Sequence, residues 1–484
     1  MSADCIDKHN VQGDIWPGLS KKYEDFHFFR ILNVEKFKRH LGSIIPHITD
    51  CEKAMQDKGL IRQHKIAVAQ GTESPKLLDV VGVNISFTSK GLALLGKRDI
   101  QSKAFEIGQL ADMTDTENGG RDKATDWMDE FKNKEKEIHG LINVGGSSKE
   151  IVEQKWKQIK SLFIGRFNFT TSIEEVVTLS GKDRDAPNGS KEHFGYEDGI
   201  SQPKIQGLDR PEEGEKAPPL IPPGIFFLGH RGQPICQPDW AHEGSFLAIR
   251  KLQCLVPEFD KYLEDEAPKH NLSSEQLAAR FMGRWRSGKI DSFIFFHGDN
   301  LIQRHAGAPI DMAPDQDNPS LAHSNNFDFN PADTQSRCPF AAHIRKSRPR
   351  ADIEDRFTRS IFRRGITYGP DVTEQEKKDH KTKVDRGIFF MAYSSDIDNG
   401  FSFMQKKMIN NNQWPEREPA TGPKGAGLDP FCGQAKPPGP PEFCMVDGKE
   451  QTVHVTLDNW VIARGGEYLF VPPIKFLKTL SQSA

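Results

Sequence analysis

The sequence predicts an α+β protein of two related halves, each an antiparallel sheet covered by helices. Three observations predict it. The 484 residues exceed what one ordinary core organises, so two large domains are expected. A strand-then-helix pattern recurs in the same order, at residues 26–41, 244–263 and 387–409. A Pro-rich joint at 211–223 removes backbone donors and stiffens the chain, dividing it into 1–210, the joint, and 224–484.

The elements follow in order. Residues 26–32 (FHFFRIL) have the β-rich composition of a buried strand, and Val34, Phe37, Leu41 and Ile45 then fall at helical spacing. A second pair comes at 80–87 and 89–95, with Thr88 or Ser89 as the helix cap. A polar loop at 112–122, a helical tract at 127–138, a helix around Trp156 and a strand near Thr178 complete the first half. Beyond the joint, 244–252 and 256–263 repeat the pattern, and 387–393 with 400–409 offer it again. Two long irregular stretches, 307–337 and 414–441, read as loops that carry function.

Composition excludes several classes. Lys and Arg number 65 against 68 Asp and Glu, a formal charge of -3, so no basic field exists to hold nucleic acid or a membrane surface. No run of eighteen apolar residues is long enough to cross a bilayer. Seven scattered cysteines without a C-x-x-C pair suggest neither a zinc site nor a disulfide scaffold, while 32 Phe supply an aromatic core. The opening residues lack a charged region followed by an apolar one. The chain therefore reads as leaderless and cytoplasmic, or as a secreted mature chain already trimmed.

Chemistry concentrates in a few stretches. In Gly195-Tyr196-Glu197-Asp198-Gly199-Ile200-Ser201-Gln202-Pro203 two glycines bracket Asp198, so the backbone can turn sharply and hold a carboxylate against something flat; an ordinary solvated turn would look the same. His343 ends the run Cys338-Pro339-Phe340-Ala341-Ala342-His343, whose small residues let a large flat group approach. Arg345 and Lys346 beyond it suit anionic groups, although a lone imidazole in an apolar run is more often a packed core residue than a ligand. Phe362-Arg363-Arg364-Gly365 sets an arginine pair beside a glycine.

Taken together, the Asp198 and His343 stretches, residues 363–369, Gly387-Ile388-Phe389-Phe390, the opening Asn10-Val11-Gln12-Gly13-Asp14-Ile15 and Gly465-Gly466-Glu467-Tyr468 resemble, in order, the dye-decolorizing peroxidases, most closely their fungal branch. The resemblance implies two ferredoxin-like domains with haem b (iron protoporphyrin IX) clamped between them. It implies His343 as the proximal iron ligand, Asp198 as the distal acid-base residue and Arg363, preferred to Arg364, as the distal arginine. Gly199, Arg345, Ile388 and Phe390 are read as cofactor contacts, and Asp429 as the partner of the second His343 nitrogen. Hydrogen peroxide and aromatic reductants such as dyes and phenols are the implied partners, for a monomer or dimer.

Bulky reductants do not fit past Ile388 and Phe390, so some electrons are expected to travel through surface aromatics, with Tyr368 the first candidate and a structural, hydrogen-bonded tyrosine its alternative. Met408 stands where many fungal relatives carry an exposed Trp, which puts that route in doubt. The rival functional reading is a haem-binding or haem-handling protein without peroxidase turnover; a second is a haem-free binding protein.

Overall fold

The computed structural model describes residues 5–133, 135, 137–165, 170–185, 188–189, 191–286, 307–312, 321, 323–329, 334–354, 357–416, 420–434 and 440–483. Parts of the two long stretches, 307–337 and 414–441, lie outside these residues.

The first half runs β1 (Tyr23–Ile31), a helix (Val34–Ile44), β2 (Val81–Phe87), β3 (Gly140–Gly146), a helix (Lys149–Leu162) and β4 (Ile173–Lys182). This is the β-α-β-β-α-β order of a ferredoxin-like unit, with sheet order β4-β1-β3-β2. The central strand β1 is buried on both faces, which is why FHFFRI reads as a continuous apolar run. Asn33 caps the first helix by accepting from Lys36 N, and Phe37, Leu41 and Ile44 turn into the core. Thr88, not Ser89, caps the short helix after β2, accepting from Gly91 N.

The second half repeats the plan with β5 (Ser245–Cys254), helices Val256–Glu266 and Ser274–Met282, β6 (Phe362–Arg363), β7 (Ile366–Tyr368), β8 (Gly387–Ser394), a wide helical segment at 398–409, a separate hairpin of β9 (Glu442–Val446) and β10 (Thr452–Thr456), and β11 (Val461–Val471). Its order, β11-β5-β8 with β6 and β7 both on the far edge of β8, reproduces that of the first half.

Two expectations need correction. Among its described residues the tract 127–138 forms no α-helix: Asp129–Phe131 is a short 3-10 turn, Trp127 and Phe131 are pulled into the core, and Met128 N pairs with Arg464 O of β11. The 19-residue helix Cys51–Ala69 was not anticipated; only Cys51, Ala54 and Asp57 of it are buried, so it shows no apolar stripe to read. Among the described residues no helix is long and apolar enough to cross a membrane.

The halves share one nine-stranded sheet, yet β2 and β11 are joined by a single ladder pair, Phe87 with Phe470. The N-terminal segment reinforces that seam. Fully buried Gln12 donates to Ile85 O (2.9 Å) and Pro472 O (2.8 Å) and accepts from Ile85 N (2.9 Å). Asp14 accepts from the Tyr393 hydroxyl of β8, while its carbonyl accepts from Arg364. The opposite edges also meet, Thr367 Oγ1 donating to Lys182 O at 2.6 Å. There Gly181 has no room for a Cβ, which would stand 2.4 Å from Ile366. Residues 211–223 fall between β4 and β5; just after them Ile225, Phe226, Phe227 and Leu228 are buried, and Phe226 stacks on Phe362 at 3.9 Å.

Gln12→Ala leaves buried backbone groups of both strands unpaired and is expected to cost about 2–5 kcal/mol. Denaturant unfolding checks it, and a loss below about 0.5 kcal/mol, within the range of an ordinary surface substitution, contradicts the seam role.

Candidate functional site

The second half of the sheet builds one wall of a cavity of about 300 Å³. Side chains alternate across a strand, so Ile388 and Phe390 of β8 face the cavity while Phe389, Met391 and Tyr393 are buried in the core behind. In register beside them, Leu252 of β5 pairs with Ile388 and Arg250 with Phe390, and Ala463 of β11 pairs with Leu252. The segment 192–203 that follows β4 forms the facing wall, and Asp122 also lines the cavity, so both halves contribute.

Asp198 enters from that segment. Gly195 and Gly199 flank it with φ of 96° and 79°, a left-handed backbone that glycine adopts freely. No atom lies within 4 Å of where a Gly199 Cβ would stand, so the turn, not crowding, calls for glycine. Asp198 Oδ1 accepts from Arg363 Nη1 (2.5 Å) and from Gly199 N (2.6 Å). Burial works to raise the Asp198 carboxyl, but the Arg363 guanidinium beside it outweighs burial and holds it below its ordinary value. Arg363 is fixed in turn: Gln202 accepts from Arg363 N (3.2 Å) and donates to Arg363 O (3.0 Å), as a neighbouring strand would. Glu192, pushed up to about 7 by burial, accepts from Phe194 N and Tyr196 N and so braces the turn.

His343 faces the cavity from the start of the helix His343–Ser347. Its Nδ1 bonds Asp429 Oδ2 at 2.7 Å. Asp429 is fully buried and its other oxygen accepts from Phe431 N (2.8 Å) and Cys432 N (2.9 Å). Burial lowers the His343 imidazole, but the Asp429 carboxylate outweighs it and the net direction is upward. With the proton on Nδ1, Nε2 keeps a lone pair for a ligand in the cavity.

The structure thus brings Asp198, Gly199, His343, Arg363, Ile388 and Phe390 to one cavity, with Asp429 directly behind His343. Arg345 is a correction. It is buried away from the cavity, pairing with Asp352 through Nε (2.7 Å) and Nη2 (2.8 Å), and its guanidinium lies between Phe329 and Phe340. Lys346 is likewise buried, donating to the carbonyls of Asn411, Trp414 and Gly427, and burial lowers it to about 7. The reason is helical geometry: 343, 344, 347 and 348 share one face, and 345 and 346 point the other way. Arg348 and Arg350, which follow the end of that helix, line the cavity instead. Gln202 was missed because a side-chain amide that replaces a strand partner carries no sequence signal.

Two electron-route readings also change. Tyr368 is not a surface residue; it is 6% exposed, stacked on Phe389, and its hydroxyl donates to Asp385 at 3.1 Å. Met408 is buried and lines the cavity, so that position does not reach solvent.

The donor set fits the iron cofactor that the resemblance implies. One imidazole nitrogen has no partner among the described residues, its second is anchored by a buried carboxylate, the walls are largely apolar, and Arg348 offers a cation to a carboxylate substituent, whereas the Arg350 guanidinium is engaged by Asn325 O and Phe327 O. Cys432 lies near His343 and Asp429, but those two are already bonded to one another and do not form an open three-ligand site.

Comparison with known proteins gives the same picture. Residues 10–185 match the family model described as DyP dimeric alpha+beta barrel domain, and 303–417 the one described as Dyp-type peroxidase, C-terminal. The chain is 33% identical to a dye-decolorizing peroxidase of Auricularia auricula-judae over 98% of its length and 87% of that protein's. It is 34% identical to one from Mycetinis scorodonius, covering 97% and 87%. Among solved structures, an ancestral D-type dye decolorizing peroxidase superposes with a TM-score of 0.83 at 39% identity, covering 98% of both chains. A dye-decolorizing peroxidase from Pleurotus ostreatus, as its F194W mutant, gives 0.84 at 35%, covering 98% and 99%.

Arg345→Met breaks a buried ion pair and is expected to cost about 3–5 kcal/mol of stability. Haem bound per folded chain, read from the Soret band, stays unchanged; loss of haem without loss of stability would return Arg345 to the cofactor.

Proposed function

The chain belongs to the dye-decolorizing peroxidases and is a haem b enzyme, and from that premise we propose that it reduces hydrogen peroxide with Asp198 as proton carrier and Arg363 as its charge-stabilising partner. Dyes, phenols and related aromatic reductants return the electrons one at a time. The observation that carries the reading is the asymmetry of the Asp198 carboxylate. Oδ1 is occupied by Arg363 and Gly199 N, whereas Oδ2 receives no hydrogen bond among the described residues and is left available as a base on a residue that lines the cavity.

His343 Nε2 would hold the iron, and Arg348 a carboxylate of the cofactor. The bound haem supplies the redox centre at which the peroxide O–O bond is cleaved. Asp198 Oδ2 takes the proton from one peroxide oxygen and returns it to the other, which leaves as water. Arg363 stays paired with Oδ1 and stabilises the charge that builds on the departing oxygen. Asp429 keeps the His343 proton on Nδ1, so Nε2 stays directed at the cavity. Ile388 and Phe390 keep the space above narrow and apolar, which admits peroxide and turns bulky reductants away.

Large reductants then need another route, and Tyr368 remains the candidate in an altered form. It is buried, so it would serve as an internal relay: on giving up an electron its phenolic proton would pass to Asp385, whose half-exposed carboxylate accepts from the hydroxyl, and an electron from the aromatic reductant would restore it. The haem-handling reading is the weaker one, because storage of haem needs neither the free Oδ2 nor the arginine beside it.

Asp198→Asn is expected to lower the rate of reaction with peroxide by roughly 10²–10⁴-fold while haem stays bound, measured by stopped-flow absorbance. An unchanged rate removes Asp198 as the proton carrier.

The pH dependence follows with a definite sign. Asp198 works as a base only when ionised, and Arg363 holds its pKa below the ordinary 3.8. The rate constant with peroxide therefore stays level as the pH falls towards 4 and declines only below that value. A decline centred near neutral pH contradicts the assignment.

A further inference from the structure

Away from the haem cavity, one cluster of potential metal ligands has no part in the chemistry above. His230, His242 and Glu243 offer Nε2, Nδ1 and carboxylate oxygens that all lie within 4.8 Å of one another. None of the three lines the haem cavity. His230 Nε2 stands 3.7 Å from Glu243 Oε1, and His242 Nδ1 stands 4.0 Å from Glu243 Oε2.

The independent observation is at His230. That residue is 8% exposed, and its Nε2 is buried without a hydrogen-bond partner. A buried imidazole nitrogen left in this way costs free energy unless something meets it. At 3.7 Å the nearest Glu243 oxygen is too far for a hydrogen bond but well placed to share a cation.

The backbone holds the three groups in place. Leu228 and Glu243 are locked together by Glu243 N to Leu228 O (2.8 Å) and Leu228 N to Gly244 O (3.0 Å). Between them Gly229 packs on the His242 ring so closely that a Cβ there would stand 2.1 Å from it. The imidazole rings of His230 and His242 lie 5.0 Å apart. Glu243 is nearly buried.

We propose that His230, His242 and Glu243 form a binding site for a borderline-soft divalent cation of the zinc class, with the fourth position open on the His242 side. Two imidazoles and one carboxylate are a recognised zinc set, with metal–ligand bonds of about 2.0–2.2 Å. Such bonds bring ligand atoms to about 3.3–3.5 Å of one another, so closure asks for a shift of about 1 Å. The His242 side chain, 51% exposed, has the freedom to make it.

The cation would act as a clamp on the N-terminal segment. Glu243 Oε1 accepts from Asp7 N and Oε2 from Asn10 Nδ2, each at 2.6 Å. Asn10 also binds the start of the last helix, its carbonyl and Oδ1 accepting from Ile474 N and Lys475 N. Gln12, two residues on, spans the seam between the halves. The cation would therefore fix the carboxylate from which that segment hangs. Lys475, a cation that interacts with Glu243, is paired with Asp7 at 2.8 Å.

The test uses the haem-loaded protein, in which His343 is occupied, after treatment with a chelator. Calorimetric titration with Zn²⁺ is expected to show one saturable site per chain, and Co²⁺ to give the visible bands of a four-coordinate ion. His242→Ala, a change at a half-exposed side chain, is expected to weaken Zn²⁺ binding about 100-fold or more, since loss of a ligand outweighs the 10–100-fold cost of losing an outer partner. Zn²⁺ raises the melting temperature of the parent protein and leaves that of His242→Ala unmoved. No saturable uptake by the parent, or equal affinity in His242→Ala, overturns the proposal.

Discussion

The Asp198–Arg363 ion pair is the contact on which the site depends: it is made across 165 residues, by two segments that Gln202 also ties together at the Arg363 backbone. Arg363 sits on the edge strand β6, so its position depends on the pairing of β6 with β8. Asp198 sits on a turn between glycines, braced by Glu192 beneath it and by Gln202 beside it. A charge pair of this kind, partly removed from water, is stronger than on an open surface, and it holds the carboxylate ionised in acid where a histidine would be protonated.

The two carboxylates at the cavity differ in role because they differ in what already touches them. Asp429 spends both oxygens, one on His343 Nδ1 and the other on the amides of Phe431 and Cys432, so it can only orient the imidazole. Asp198 has one oxygen held and one free, so it can carry a proton without losing its place. Identical functional groups thus differ through their hydrogen bonds: one is fully engaged, and the other keeps an oxygen for the proton-carrying role proposed for it.

The strand register explains how one protein accommodates both a cavity and a core. Along β8 the alternate residues Ile388 and Phe390 face the cavity while Phe389, Met391 and Tyr393 hold the interior, and a slip of one residue would exchange them. Tyr393 reaches through that interior to Asp14, which links the wall of the site to the same N-terminal segment that spans the seam at Gln12. The opening motif of the chain is therefore structural: it joins the halves whose facing surfaces make the site.

The amino-acid sequence by itself determined the α+β class and the paired halves, and it marked Asp198, His343, Arg363 and the apolar pair Ile388 and Phe390 as the candidates that the fold brings to one cavity. These were legible because strand alternation, turn glycines and motif order are local properties of the chain. It did not determine the facing of Arg345, the burial of Tyr368 and Met408, the amide clasp of Gln202, or the helix Cys51–Ala69. Each of those was decided by what packs against it from far along the chain: Asp352, Phe329 and Phe340 claim Arg345, and Asp385 and Phe389 enclose Tyr368. A side chain's type is written in the sequence, but the partner that satisfies a buried charge or hydroxyl is supplied only when the tertiary structure brings distant segments together, because burial without such a partner is too costly to persist.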